Sequence, residues 1–289
     1  MLYLVTHIII NEVENNMVID FHTHVYPDKI AERTIQTLMQ SAPDVKVYTK
    51  GTLQALLDSM AEAGIDKSVI LPVATRKGQF DTINQYALHI NQTYHNLVSF
   101  GGIHPDDDEP EQKLSWLKDN GFKGIKIHPD YTETFIDDAR YVRILKACAA
   151  LGLKVVTHAG EDPAFDIIHC PPKKARAILD RIPTKEPFLI FAHLGGINVY
   201  KEVEGYLLGT NCYIDVSCSF SELGSYCETT AKEVVSVIRR HGADKILFAT
   251  DSPWNDQRSY LSHFRSLPEL TDREKDLILY QNAQKILSE

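Results

Sequence analysis

The sequence predicts an α/β chain folded as a (β/α)8 barrel. Three observations predict it: eight short β-rich runs, helix-compatible stretches between them, and a repeat of roughly 30 residues that fills a chain of 289. A doubly wound sheet fits less well, because it usually has fewer strands. The first run is also not followed by the G-x-G-x-x-G turn of a dinucleotide-binding unit.

In chain order the runs are Val18–His24, Lys67–Val73, Leu97–His104, Phe122–His128, Leu153–His158, Phe188–His193, Cys212–Ser217 and Lys245–Asp251. Helical patterns lie between them at Thr52–Ala63, Thr82–Tyr94, Arg140–Leu151, Lys173–Arg181 and Ala231–His241, and Asp272–Leu287 closes the chain. Residues 1–16 read as an N-terminal extension and 17–289 as a single barrel domain. Met1–Ile10 is apolar but has neither a basic leader nor a small-residue cleavage site, so it does not read as a signal peptide. It is followed by the polar Asn11–Asn16; either 1–16 is an added strand or extension, or the natural start is nearer Met17.

Composition narrows the function. The chain is 44% hydrophobic and 24% charged with a net charge of −9, which suits a globular protein with a large core. No basic stripe invites nucleic acid, and no window approaches the ~18 apolar residues of a membrane span. Five cysteines without a C-x-x-C pair fit a reducing compartment, so the expected location is the cytoplasm. The expected partner is a small-molecule substrate, and a homo-oligomer is left open.

Polar residues at the run ends carry the chemistry. In a barrel the site forms at the C-terminal ends of the strands. Here His22 and His24, His128, His158, His193 and Asp251 end five runs after apolar stretches. Strand alternation predicts that Asp20, His22 and His24 share a face, as do Leu247, Ala249 and Asp251, Phe191 and His193, and Val156 and His158. His22-Thr-His24 alone is a weak signal, although two imidazoles ~7 Å apart on one face can reach one ion. With His158, His193 and Asp251 added, the donors form a borderline-soft N/O set suited to Zn2+, with Mn2+, Fe2+ or Co2+ open.

Four ordered segments, Val18-Ile-Asp-Phe-His-Thr-His24, Thr157-His158, Ala192-His-Leu-Gly-Gly196 and Ala249-Thr-Asp-Ser-Pro253, resemble the strand 1, 5, 6 and 8 motifs of the amidohydrolase superfamily. The nearest likeness is its amidohydrolase 2 branch, which includes hydrolases and aminocarboxymuconate-semialdehyde-type decarboxylases. The resemblance runs from Met17 to the end, including Asn282-Ala283 in the closing helix. It implies a barrel of the metal-dependent hydrolase type, with His22, His24, His158 and Asp251 holding one divalent metal, zinc first. His193 would act beside it, with His193 and Asp251 as the groups that handle protons. It implies hydrolysis of a small amide, ester or lactone through a metal-activated water. Decarboxylation of a small carboxylic acid is the rival, and a catalytically silent, metal-bound binding barrel is the alternative of another class. The compact length after the first run tilts the reading to hydrolysis.

Gly124, Lys126 and His128 share a face of the fourth run. Lys126 is open to three parts: contact with an anionic substrate, plain structure, or, when carboxylated, a bridge to a second metal. His128, His104, Arg76 and Trp254 are expected to line the pocket. His169-Cys170 reads as an ordinary loop, and His7, His89, His95, His241 and His263 as surface or helix residues.

Overall fold

The computed structural model describes residues 17–224 and 226–288. The expected extension 1–16, with His7, lies outside the described residues. From residue 17 onward the chain alternates parallel strands with helices. The strands are β1 (Ile19–Thr23), β2 (Lys67–Ile70), β3 (Leu97–Ser99), β4 (Gly101–Gly102), β5 (Gly124–Ile127), β6 (Lys154–Thr157), β7 (Leu189–Phe191), β8 (Tyr213–Asp215) and β9 (Ile246–Leu247). The third expected run is split at Phe100 into β3 and β4. The ladder is broken there but the chain is continuous, and the Phe100 N–H still donates to Ile70 O at 2.9 Å. Eight barrel staves therefore stand where eight runs were expected, in the order β1-β2-β3 and β4-β5-β6-β7-β8-β9.

The barrel closes between β9 and β1. Phe21 N donates to Phe248 O at 2.9 Å, Asp251 N to His22 O at 2.8 Å, and His24 N to Ser252 O at 2.7 Å. Inside, Ile19, Phe21, Val69, Leu71, Phe100, Val156, Ile190, Tyr213, Leu247 and Ala249 form one packed apolar cluster. A second and larger cluster, including Ile70, Ile125, Val155, Phe191, Ile214 and Phe248, lies between the strands and the helical ring. This is the filled barrel that the fold requires. Gly124 is needed on the inner wall, because a Cβ there would meet the Phe100 ring at 2.5 Å and Lys154 O at 2.3 Å.

The ring comprises α1 (Asp28–Ser41), α2 (Leu53–Ala63), α3 (Phe80–Thr93), α4 (Pro110–Asp119), α5 (Ala139–Leu151), α6 (Pro172–Arg181), α7 (Tyr200–Tyr206), α8 (Ala231–His241), α9 (Gln257–Arg265), α10 (Asp272–Asp276) and α11 (Asn282–Ser288). Local chemistry sets their ends. The Thr52 hydroxyl caps α2 through Ala55 N, and Gly64 ends it in the left-handed conformation. Thr230–Glu233 and Thr271–Glu274 form capping boxes on α8 and α10. The expected closing helix is interrupted by a π turn at Leu277–Gln281. Asn282 then donates to Ala243 O and Ile246 O, both at 2.7 Å, tying α11 to the foot of β9. α1 buries only Ala31 and Ile35, too thin an apolar stripe to read in advance. No described helix is long and apolar enough to cross a membrane.

Candidate metal centre

Two departures from strand alternation build the site. The register of β1 against β2 shifts between Asp20 and Thr23, a bulge. Phe21 then fills the barrel while His22 also faces the ligand cluster. Asp20 falls on the other side, contrary to the expectation that it shares a face with His22 and His24. There it accepts from Thr250 N at 2.9 Å, Thr250 Oγ1 at 2.5 Å and Gln257 Nε2 at 2.7 Å. Burial, against those hydrogen bonds, pushes the Asp20 carboxyl up to about 6. Asp20 is thus a clasp on the barrel seam.

The second departure is at His193. Val156, an inner residue, pairs with Ile190, so Phe191 lies on the outer face. Simple alternation would send His193 outward with Phe191. A left-handed backbone at His193, φ 58°, turns the imidazole inward instead. Asp251 and Cys218 carry the same device, at φ 64° and 47°.

The inner side chains meet above the apolar filling. His22 Nε2 lies 3.2 Å from His24 Nε2, and Asp251 Oδ1 lies 3.4 Å from the first and 3.0 Å from the second. His193 Nε2 lies 3.0 Å from His158 Nδ1. The far side of each ring has an acceptor. His24 Nδ1 donates to Leu71 O at 2.8 Å, His22 Nδ1 to Asp215 Oδ2 at 2.9 Å, and His158 Nε2 to Glu161 O at 3.2 Å. Ser217 Oγ gives its proton to Asp215 Oδ1 at 2.5 Å and so accepts from His193 Nδ1 at 2.9 Å. With those protons assigned, each remaining ring nitrogen holds a lone pair, and the lone pairs face each other in two close pairs, His22 with His24 beside Asp251 Oδ1, and His158 with His193. Lys126 Nζ, 3.1 Å from His22 Nε2, can answer one of them, and a cation would relieve the rest. Ligand atoms of a tetrahedral ion with bonds of ~2.1 Å stand roughly 3.4 Å apart, close to the spacings around Asp251 Oδ1. The donor set therefore fits a divalent metal.

Electrostatics agree. Burial, followed by the neighbouring Lys126 charge, lowers His22 to about 3. Burial also holds His128 and His158 well below the usual imidazole range and lowers His193. Burial thus disfavours the charged form of all four rings, the direction that metal ligation by His22 and His158 requires. Burial alone would raise the Asp215 and Asp251 carboxyls, but their interactions with the neighbouring histidines, His22 first, hold both well below the carboxylate range. Lys126, buried with its Nζ 3.1 Å from His22 Nε2, is lowered to about 8 by burial against the pull of Asp215 and Asp251.

The remaining expected residues are placed unevenly. His128 stacks on His158, ring centroids 4.1 Å apart, with Nε2 3.4 Å from Asp162 Oδ2. Trp254 is half-buried one turn past Asp251, its N–H donating to Asp251 O at 2.9 Å. His104 is buried in a turn, its Nδ1 accepting from Asp106 N at 3.1 Å, and Arg76 lies in an exposed loop; neither joins the cluster. His169 is more than an ordinary loop residue, since both its N–H and its Nδ1 bond Asp130 Oδ1, at 2.8 and 3.0 Å.

Sequence reasoning passed over Asp215, Ser217 and Cys218. A charged residue inside the apolar stave Tyr213-Ile-Asp215 was a readable signal for the first. The other two follow the stave, and the conformation that turns Cys218 inward leaves no mark in the sequence. Tyr26 and Tyr131 were passed over as well; both hydroxyls are raised by burial and feel the Asp251 charge.

Comparison with known proteins accords with this geometry. Among curated proteins none matches. Solved structures do: an uncharacterized TIM-barrel protein from Bordetella bronchiseptica has 16% identity and a TM-score of 0.72, covering 94% of this chain and 98% of its own. A dihydroxybenzoic acid decarboxylase from a Polaromonas species, with bound manganese and the inhibitor 2-nitroresorcinol, has 14% identity and a TM-score of 0.68, covering 94% and 97%. A probable 2-pyrone-4,6-dicarboxylic acid hydrolase from Acinetobacter baumannii, with citric acid bound, has 18% identity and a TM-score of 0.64, covering 94% and 99%. At these identities the likeness speaks for the fold. The amidohydrolase family profile, in contrast, matches residues 19–288, and the chain therefore belongs to the amidohydrolase family.

Proposed function

We propose that the protein is a metal-dependent hydrolase of a small amide, ester or lactone, working with one zinc ion. The observation that carries this reading is the convergence of the His22 and His24 Nε2 lone pairs on one carboxylate, Asp251, with His193 also within reach of it. His158 Nδ1 meets His193 Nε2 at 3.0 Å and otherwise groups with His128 and Asp162. The two Nε2 atoms and Asp251 Oδ1, with His158 Nδ1 added on the family resemblance, are taken as the donors. A divalent ion held there would supply Lewis acidity toward a water or a substrate oxygen. His193 takes a proton on Nε2 and returns it to the leaving group, because its Nδ1–H is fixed by Ser217 and Asp215. The buried Lys126 adds a positive charge beside His22 that suits an oxyanion of the substrate. As the lesser alternative, a Lys126 carboxylated on its neutral amine would help hold a second metal. His128 and Trp254 would line the substrate space. Five cysteines outside any disulfide suit a reducing, cytoplasmic setting.

Decarboxylation is the second reading, favoured by the manganese-bound decarboxylase among the structural neighbours. Elemental analysis, then turnover on panels of esters, amides and lactones and of small aromatic carboxylic acids, separates the readings. Hydrolysis by metal-loaded protein is the expected result. Release of CO2 alone would favour the second reading, and bound metal without turnover on either panel would make this a binding barrel.

A further inference from the structure

Asp251 offers two oxygens, and they have different neighbours. Oδ1 faces the Nε2 atoms of His22 and His24. Oδ2 accepts from the Cys218 thiol at 3.2 Å. The sulfur is itself held, since Asn255 Nδ2 donates to Sγ at 3.1 Å and to Thr250 O at 2.8 Å. Asn255 is buried, and its other bond anchors the clamp to the residue before Asp251. His193, Cys218 and Asp251 bring their ligand-type atoms within 4.8 Å of one another. Each of the three is in the left-handed region, which non-glycine residues seldom adopt without compensation.

We infer that Cys218 is a positioning residue of the metal centre: its S–H, oriented by Asn255, fixes which Asp251 oxygen meets the two imidazoles. This rests on the metal-dependent reading above. The terminal torsion of an aspartate is soft and nearly two-fold, so an ungripped carboxylate exchanges its oxygens freely. A donor on Oδ2 removes that freedom and leaves Oδ1 toward His22 and His24. Partners outside the ligand set commonly change metal affinity 10- to 100-fold, and a thiol is a weak donor, so an effect of roughly tenfold is expected. Cys218 is assigned no bond to the ion.

The test measures zinc affinity of the full chain by competition with a chromophoric chelator, for wild type, C218A and C218S, with thermal unfolding recorded for each. C218A should bind zinc about tenfold more weakly, and C218S should recover wild-type affinity because its hydroxyl donates to the same oxygen. C218V, which fills the space without a donor, replaces C218A should that variant not fold. Cobalt(II)-loaded wild type should lack the near-ultraviolet thiolate charge-transfer band. Unchanged affinity in C218A overturns the inference. So does a C218S protein as weak as C218A, or a thiolate band that C218S lacks, since the sulfur would then be a ligand. A wild type that binds no metal at all would overturn the proposed function itself.

Discussion

Asp215 organises more of the centre than any side chain that faces the ion position. Its Oδ2 receives His22 Nδ1, and its Oδ1 receives His193 N, Ser217 N and Ser217 Oγ. It thereby sets the tautomer of His22 directly and of His193 through Ser217. Replacing Asp215 by Asn should leave His22 free to protonate the wrong nitrogen and weaken zinc binding roughly 10- to 100-fold; unaltered zinc affinity would refute that role. His193 makes a different prediction. As the proton carrier outside the donor set, His193→Asn should keep its metal while turnover falls about 10²–10⁴-fold. His22→Ala or His24→Ala should lose metal and activity together, and Cys170→Ala neither. Metal per chain measured beside turnover distinguishes these outcomes, and loss of metal in His193→Asn would make that residue a ligand.

Strand alternation explains both what was legible and what was not. The eight staves and the polar groups at their ends follow from apolar runs ending in His or Asp, as at Leu153–His158 and Lys245–Asp251. Alternation placed Lys126, His128 and His158 on the inner face because β5 and β6 keep regular register, whereas Asp251, beyond β9, takes a left-handed backbone that no run records. It misplaced Asp20 because of the bulge in β1, and it could not give the reason that His193 faces inward, because φ is not written in the run. Close approach between elements was equally hidden. Gly160, φ +83°, would press a Cβ to 2.2 Å from Ile197 N where the loop after β6 bridges to the one after β7. Gly160→Ala should therefore destabilise the protein by several times the ~1 kcal/mol typical of a point change, while Gly121→Ala, with open space around it, should be affected only by its positive φ. Urea unfolding of the two variants compares them, and equal losses would discount the clash.

At the scale of the whole molecule, one buried cluster ties stability to pH. His22, His128, His158 and His193 are all lowered chiefly by burial, His22 down to about 3. Their folded pKa values lie below the unfolded value of about 6.5, so the unfolded chain binds more protons below that pH. Stability contributed by these rings is present above about pH 6.5 and is lost as the pH falls. Asp20 works the other way. Its folded pKa of about 6 exceeds the unfolded 3.8, so it favours the folded state as the pH drops through that window. Asp215 and Asp251, held low, lose their contribution only below the ordinary carboxylate range. Between pH 7 and 5 four imidazoles therefore oppose one carboxyl. Near pH 5.5 unfolding should on balance take up protons, so stability should fall as the pH drops. Metal-free protein should accordingly show a urea midpoint that falls steeply from pH 7 to 5.5. His128→Asn, which removes one of the four rings, should make the fall shallower. A midpoint that stays level over this range would mean that the rings are already protonated in the folded protein, and would remove the basis for neutral imidazoles at the proposed centre.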